Sequence, residues 1–86
     1  MRVTNMRSPK GNTVPNQFIV YNNGNEYFQS YNSVIVKKES DKIYLDKRTW
    51  NYSVTTSRYR NIFLDESTKE TQKKIDSGEY ILTDLN

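Results

Sequence analysis

The residue types best suited to chemistry are concentrated between Thr49 and Arg60, in the run Thr-Trp-Asn-Tyr-Ser-Val-Thr-Thr-Ser-Arg-Tyr-Arg. Hydroxyls and arginines at the start of a helical pattern suit a phosphate, because the first turn presents unpaired backbone N–H groups and the positive end of the helix dipole. Trp50 and Tyr52 supply flat rings that can stack on a base or anchor a protein partner. With the two cations just upstream, the candidate binding surface is Lys47, Arg48, Trp50, Tyr52, Thr55, Thr56, Ser57, Arg58 and Arg60. A purely structural use of the same run has Ser and Thr capping the helix, Trp50 and Tyr59 filling the core, and both arginines in solvent.

Catalytic chemistry finds little to work with. The chain has no Cys and no His, which removes thiolates, the commonest general base and the commonest metal ligand. A working carboxylate pair needs one member buried and perturbed, yet every acid stands in a polar, turn-like or helix-surface context. Asp84, following a β-like run, is the least surface-like. Asp65, Glu66 and Glu70 surround the start of a second helical segment, where negative charge complements the dipole. No EF-hand spacing, phosphate loop or dinucleotide motif occurs, and the three glycines read as turns and a cap. The expectation is a non-enzyme with no catalytic residue, no metal and no cofactor.

Eighty-six residues form one small domain. Only 34% are hydrophobic, but eleven aromatics, seven of them Tyr, supply large contact areas from few positions. The net charge of +3 is unevenly spread. Residues 37–60 hold Lys37, Lys38, Lys42, Lys47, Arg48, Arg58 and Arg60 against three acids, whereas residues 61–86 hold six acids against three lysines. One basic and one acidic face are expected. No apolar run has the length of a membrane span or a signal core, so the expected location is the cytoplasm, away from membranes.

Residues 1–16, with Pro9, Gly11 and Pro15 and no periodicity, are expected to form an irregular N-terminal arm ahead of a single domain at 17–86. Asn23-Gly24 between two β-rich runs predicts a type I′ hairpin that pairs Asn22 with Asn25, Val20 with Tyr27 and Ile19 with Phe28. Further strands are expected at Ser33–Lys38 and Ile43–Leu45, and Tyr80, Ile81, Leu82 and Leu85 are expected to return to the core, with a short strand as one form of that return. Thr55, Tyr59, Ile62 and Phe63 form a helical stripe that turns Arg58, Arg60 and Asn61 outward. Ser67-Thr68-Lys69-Glu70 is a capping box opening a helix that stops at Ser77-Gly78. The fold class is therefore α+β: an antiparallel meander of three to four strands with two C-terminal helices. Tyr21, Tyr27, Tyr31 and Tyr44 make either a stacking face or, under covering helices, core.

Several pieces together resemble a family of small proteins recurrent in tailed-bacteriophage genomes, a domain of unknown function. They are Val14-Pro15-Asn16-Gln17-Phe18, Tyr27-Phe28-Gln29-Ser30-Tyr31, Trp50-x-Tyr52-Ser53-x-Thr55-Thr56-Ser57-x-Tyr59 with Phe63-Leu64, and Ser77-Gly78-Glu79-Tyr80. The resemblance spans most of residues 8–86 and implies a phage or prophage origin, with no activity or ligand to carry over. Phage accessory proteins without catalytic groups act stoichiometrically on host machines. The first expectation is thus an anti-defence or anti-CRISPR-type inhibitor that binds a host protein, a nuclease or other nucleic-acid-handling enzyme. The alternative is direct DNA or RNA binding through residues 37–60. The third is self-association through a strand edge.

Overall fold

The computed structural model describes all 86 residues, in the order β1 (Arg2–Arg7), β2 (Thr13–Asn22), β3 (Asn25–Ser30), β4 (Ser33–Glu39), β5 (Lys42–Asp46), α1 (Val54–Leu64), α2 (Thr68–Asp76) and β6 (Tyr80–Thr83). The chain is α+β, but its single sheet has six strands, ordered β1 to β6, rather than three to four. The first five form the antiparallel meander. β6 lies parallel to β5, which is possible because both helices intervene as a crossover.

The Asn23-Gly24 turn has φ of 54° and 82°, the left-handed pair a type I′ turn needs. It fixes the expected register: Asn22 opposite Asn25, Val20 opposite Tyr27, Ile19 opposite Phe28. The expected irregular arm is a correction. Residues 2–7 form β1 and residues 13–16 open β2. Pro15 is tolerated because pairing with β1 jumps from Thr13 to Phe18, leaving the imino nitrogen outside the ladder. Polar β1 residues join the sheet because the ladder satisfies their backbone groups, a gain that apolar patterning does not report.

Side chains alternate across the sheet, and the helices cover one face. On that face Phe28 stacks on Phe63 with ring centroids 5.8 Å apart. Val36 and Leu45 continue the row from Phe28. A register shift in β4 lets consecutive Ile35 and Val36 both be buried. Met6, Tyr59 and Tyr80 complete the core. Each such side chain contributes about 1.5–3 kcal/mol by leaving water. Val14, Ile19, Ile43, Trp50, Leu64 and Ile75 pack around them.

The helices follow their caps. Ser53 accepts the Thr56 N–H at 3.1 Å and opens α1, and Asp65 closes it at φ 56°. Ser67 and Glu70 form the reciprocal capping box of α2, and Gly78 at φ 83° ends that region. The face of α1 is rotated from the expected stripe: Thr56, Tyr59, Arg60 and Phe63 are buried, while Thr55 and Ile62 are exposed. Both sets have helical spacing, so periodicity alone does not choose between them. No helix is long and apolar enough to cross a membrane.

Candidate functional site

Residues 47–53 link β5 to α1, and a buried carboxylate shapes this link. Asp46 accepts the Thr49 N–H at 3.1 Å, the Thr49 hydroxyl at 2.7 Å and the Leu85 N–H at 3.0 Å. Burial works to raise its pKa, but the hydrogen bonds from Leu85 and Thr49 outweigh burial and hold it below the usual value. Asp46 thereby ties the turn before α1 to the C-terminal tail. The tail closes on the sheet through Asn86, whose side chain takes the Val34 N–H at 2.7 Å and donates to the Val34 carbonyl at 3.0 Å.

Arg60 fixes the other side of the link. It was expected to face solvent and is instead fully buried, and its guanidinium lies 5.1 Å from the Trp50 ring centroid. It donates to the Trp50 carbonyl, to Asn61 Oδ1 at 3.0 Å and to Thr68 Oγ1 at 2.7 Å. Burial pulls its pKa below the usual value, with the Glu66 charge opposing. The physical reason for the inward turn is a long apolar stem with a fork that matches several oxygens at once. Thr56 is likewise buried, sharing a 2.8 Å hydrogen bond with Ser30 that pins the start of α1 to β3.

What remains outside is an open depression of about 660 Å³, lined by Asn51, Tyr52, Ser53, Val54, Ser57, Arg58 and Asn61. Tyr52 is 52% exposed and Val54 81% exposed. Ser57 donates to Asn51 Oδ1 at 3.0 Å, joining the loop to the helix. Of the nine expected site residues, Tyr52, Ser57 and Arg58 line this depression. Trp50 is half-buried against the core, Thr56 and Arg60 are buried, and Thr55, Lys47 and Arg48 are exposed but do not line it. Asn51, Ser53, Val54 and Asn61 were missed as lining residues. An apolar residue placed directly after a Ser cap was the available signal for Val54.

The expected basic stripe is also thinned. Lys37 lies 3.4 Å from Glu39 and Lys38 3.5 Å from Glu26. With Arg60 buried, three of the seven cations in residues 37–60 are engaged internally. Lys42, Lys47, Arg48 and Arg58 remain.

The acids differ from expectation as well. Asp84 is exposed, whereas Asp46 and Glu66 are the carboxylates drawn inward. Glu66, its side chain 3% exposed, accepts Lys74 Nζ at 2.7 Å, the Tyr80 hydroxyl at 2.8 Å and the Thr71 hydroxyl at 2.5 Å. Burial raises its pKa, and these three donors reverse that and leave it lowered. In turn burial and the hydrogen bond to Glu66 push Tyr80 up to about 12. Lys74 is raised chiefly by its hydrogen bond to Glu66. Both inward carboxylates are thus occupied in joining elements of the fold.

A family model described as a family of unknown function (DUF8033) matches residues 1–79. No curated protein matches the chain, and neither does any solved structure.

Proposed function

We propose that this chain, which belongs to the DUF8033 family, works without catalysis by binding a protein partner at the head of α1. The observation that carries this reading is the pairing of outward Tyr52 and Val54 with Arg58 around an open depression. Aromatic and Arg side chains ringed by neutral polar groups are the composition of protein-binding hot spots. The polar ring here is Asn51, Ser53, Ser57 and Asn61. Rigid backing also favours binding, because less motion is lost on docking. Asp46, Arg60 and the Thr56–Ser30 hydrogen bond provide that backing.

Direct nucleic-acid binding through residues 37–60 has less support. Phosphate contacts require free cations on one surface, and three of the seven here are consumed in ion pairs or burial. The resemblance of the motifs to small phage proteins is what suggests a host defence or nucleic-acid-handling enzyme as the partner.

The test is capture of partners from nuclease-treated bacterial lysate on the immobilised chain, with Val54→Glu and Tyr52→Ala alongside. A partner retained after nuclease treatment and lost with both variants is the expected result. Capture that vanishes on nuclease treatment, or that ignores both variants, overturns the proposal. A companion salt titration on duplex and single-stranded DNA should show weak, shallow binding. A steep slope, roughly 0.9 log units per phosphate contact, that flattens in Arg58→Ala would favour nucleic acid instead.

A further inference from the structure

The helices cover only one face of the sheet. Phe28, Ser30, Val36, Leu45 and Tyr80 point toward them or into the core, so the alternate residues lie on the opposite face. There the register aligns one residue from each strand in a single row: Val3, Val20, Tyr27, Lys37, Tyr44 and Ile81. The next row adds Phe18 and Val34 on either side of Gln29. None of these residues packs against the core, and Val3 and Ile81 are 53% and 37% exposed. An antiparallel sheet with one solvated face is normally polar on that side. Here the uncovered side carries two largely apolar rows, bordered by the polar pairs Asn22–Asn25 and Glu39–Lys42.

We infer that this open face is a self-association surface, on which a second copy of the chain docks sheet against sheet. Charge is the first argument for that occupant. By the register Lys37, Glu39 and Lys42 all lie on this face, with Glu39 opposite Lys42 and 3.4 Å from Lys37. A twofold-related copy presents the same three charges in reverse, so the acid of each copy can stand against a cation of the other. A nucleic acid would instead require a run of unpaired cations, and these three charges leave a surplus of only one.

Size is the second argument. Six strands at about 4.8 Å spacing make a face roughly 25–30 Å wide, within the molecule's 35 × 28 Å outline. The available area is on the order of 800 Å², what one partner gives to a stable interface of standard size. Two such sheets stack about 10 Å apart, as in a β-sandwich. Because the depression at α1 belongs to the helical layer, the dimer displays two of them on its outer sides. This inference stands apart from the proposed partner site and uses none of its residues.

Sedimentation equilibrium of the full chain at ~10–100 μM tests it. The wild type should run at twice its 10.2 kDa mass. Tyr44→Glu, and separately the double variant Val3→Glu/Ile81→Glu, should return it to the single-chain mass with an unchanged circular-dichroism spectrum. The double variant alters exposed positions, so folding does not hinge on it. Val54→Glu on α1 should remain dimeric. A wild type that stays at 10.2 kDa at ~100 μM, a dimer that survives the double variant, or a dimer that Val54→Glu dissociates would each overturn the inference.

Discussion

Arg60 and Glu66 are two charges of the helical layer withdrawn from water, near enough for the Glu66 charge to act on Arg60, and their hydrogen-bond partners differ in kind. The Arg60 guanidinium is held by neutral oxygens from Trp50, Asn61 and Thr68. Glu66 is held by a full cation, Lys74, together with two hydroxyls. An arginine keeps its proton at all ordinary pH values, so the first fixes geometry whatever the pH. A carboxylate titrates, so the second is conditional. The surface proposed to bind a partner rests on the unconditional one.

The largest expected effect sharpens this contrast. Arg60→Met should cost about 3–4 kcal/mol, since the Trp50 carbonyl and Thr68 hydroxyl lose their donor and the loop loses its brace. Arg60→Lys should recover less than half of that, because an ammonium cannot reach several acceptors in a fork. Urea unfolding of both variants measures it, and a loss under about 1 kcal/mol for Arg60→Met would remove Arg60 as the brace.

Glu66→Gln should cost about 2 kcal/mol at neutral pH, and the loss should depend on pH. The folded pKa of Glu66 lies below its unfolded value. Its contribution is therefore complete above about pH 4.5, the ordinary value, and disappears as pH falls through the folded pKa. At the alkaline end the signs reverse. Tyr80 is raised from 10.0 to about 12, so its stabilisation is complete below pH 10 and is lost between about 10 and 12. Lys74, also raised, acts in the same direction. Melting temperatures across pH should show both limbs in the wild type and a flattened acid limb in Glu66→Gln. Equal acid limbs in the two proteins would mean that Glu66 is not the group titrating.

Gln17 is a third buried polar residue, on β2 opposite Ser30, and neither atom of its amide has a hydrogen-bond partner. Replacing an unpaired polar group by an apolar one of similar shape is neutral to favourable. Gln17→Met should therefore raise stability by about 1 kcal/mol, opposite in sign to Arg60→Met. A loss of stability would show that the amide is bonded in solution.

The smallest effect belongs to Arg58, two residues from Arg60 and outward-facing. Arg58→Ala should change stability by less than about 0.5 kcal/mol while weakening capture of the partner. A drop in stability as large as that of Arg60→Met would erase the distinction between the two arginines.

These two arginines also show where the sequence was readable. The Ser67–Glu70 capping box, the Gly78 stop and the Asn23-Gly24 hairpin with its register were all legible, and a Ser or Thr cap for α1 was expected without the choice of Ser53. Each is decided by contacts within a few residues. Tyr52, Ser57 and Arg58, named as candidates on the same local grounds, line the depression. The inward positions of Arg60 and Thr56 were not legible, because the stripe Thr56-Tyr59-Arg60-Phe63 is as regular as the one through Thr55 and Ile62. Which stripe turns inward is decided by Ser30 on β3 and Thr68 on α2, both distant in sequence.

The same division governs the fold. Backbone propensity and turn chemistry determined, from the sequence by itself, four strands, two helices and their caps. Membership of β1 and β6 in the sheet was decided only in three dimensions. The β1 residues gain their place by ladder hydrogen bonds to β2, and β6 gains its place from the crossover that returns it beside β5. Tyr27 and Tyr44 were placed by register rather than by type: their neighbours Phe28 and Leu45 go into the core, and alternation leaves the tyrosines on the uncovered face. Local chemistry is written in adjacent residues. The choice of which face meets which is a property of the assembled layers, where burial and distant partners are weighed together.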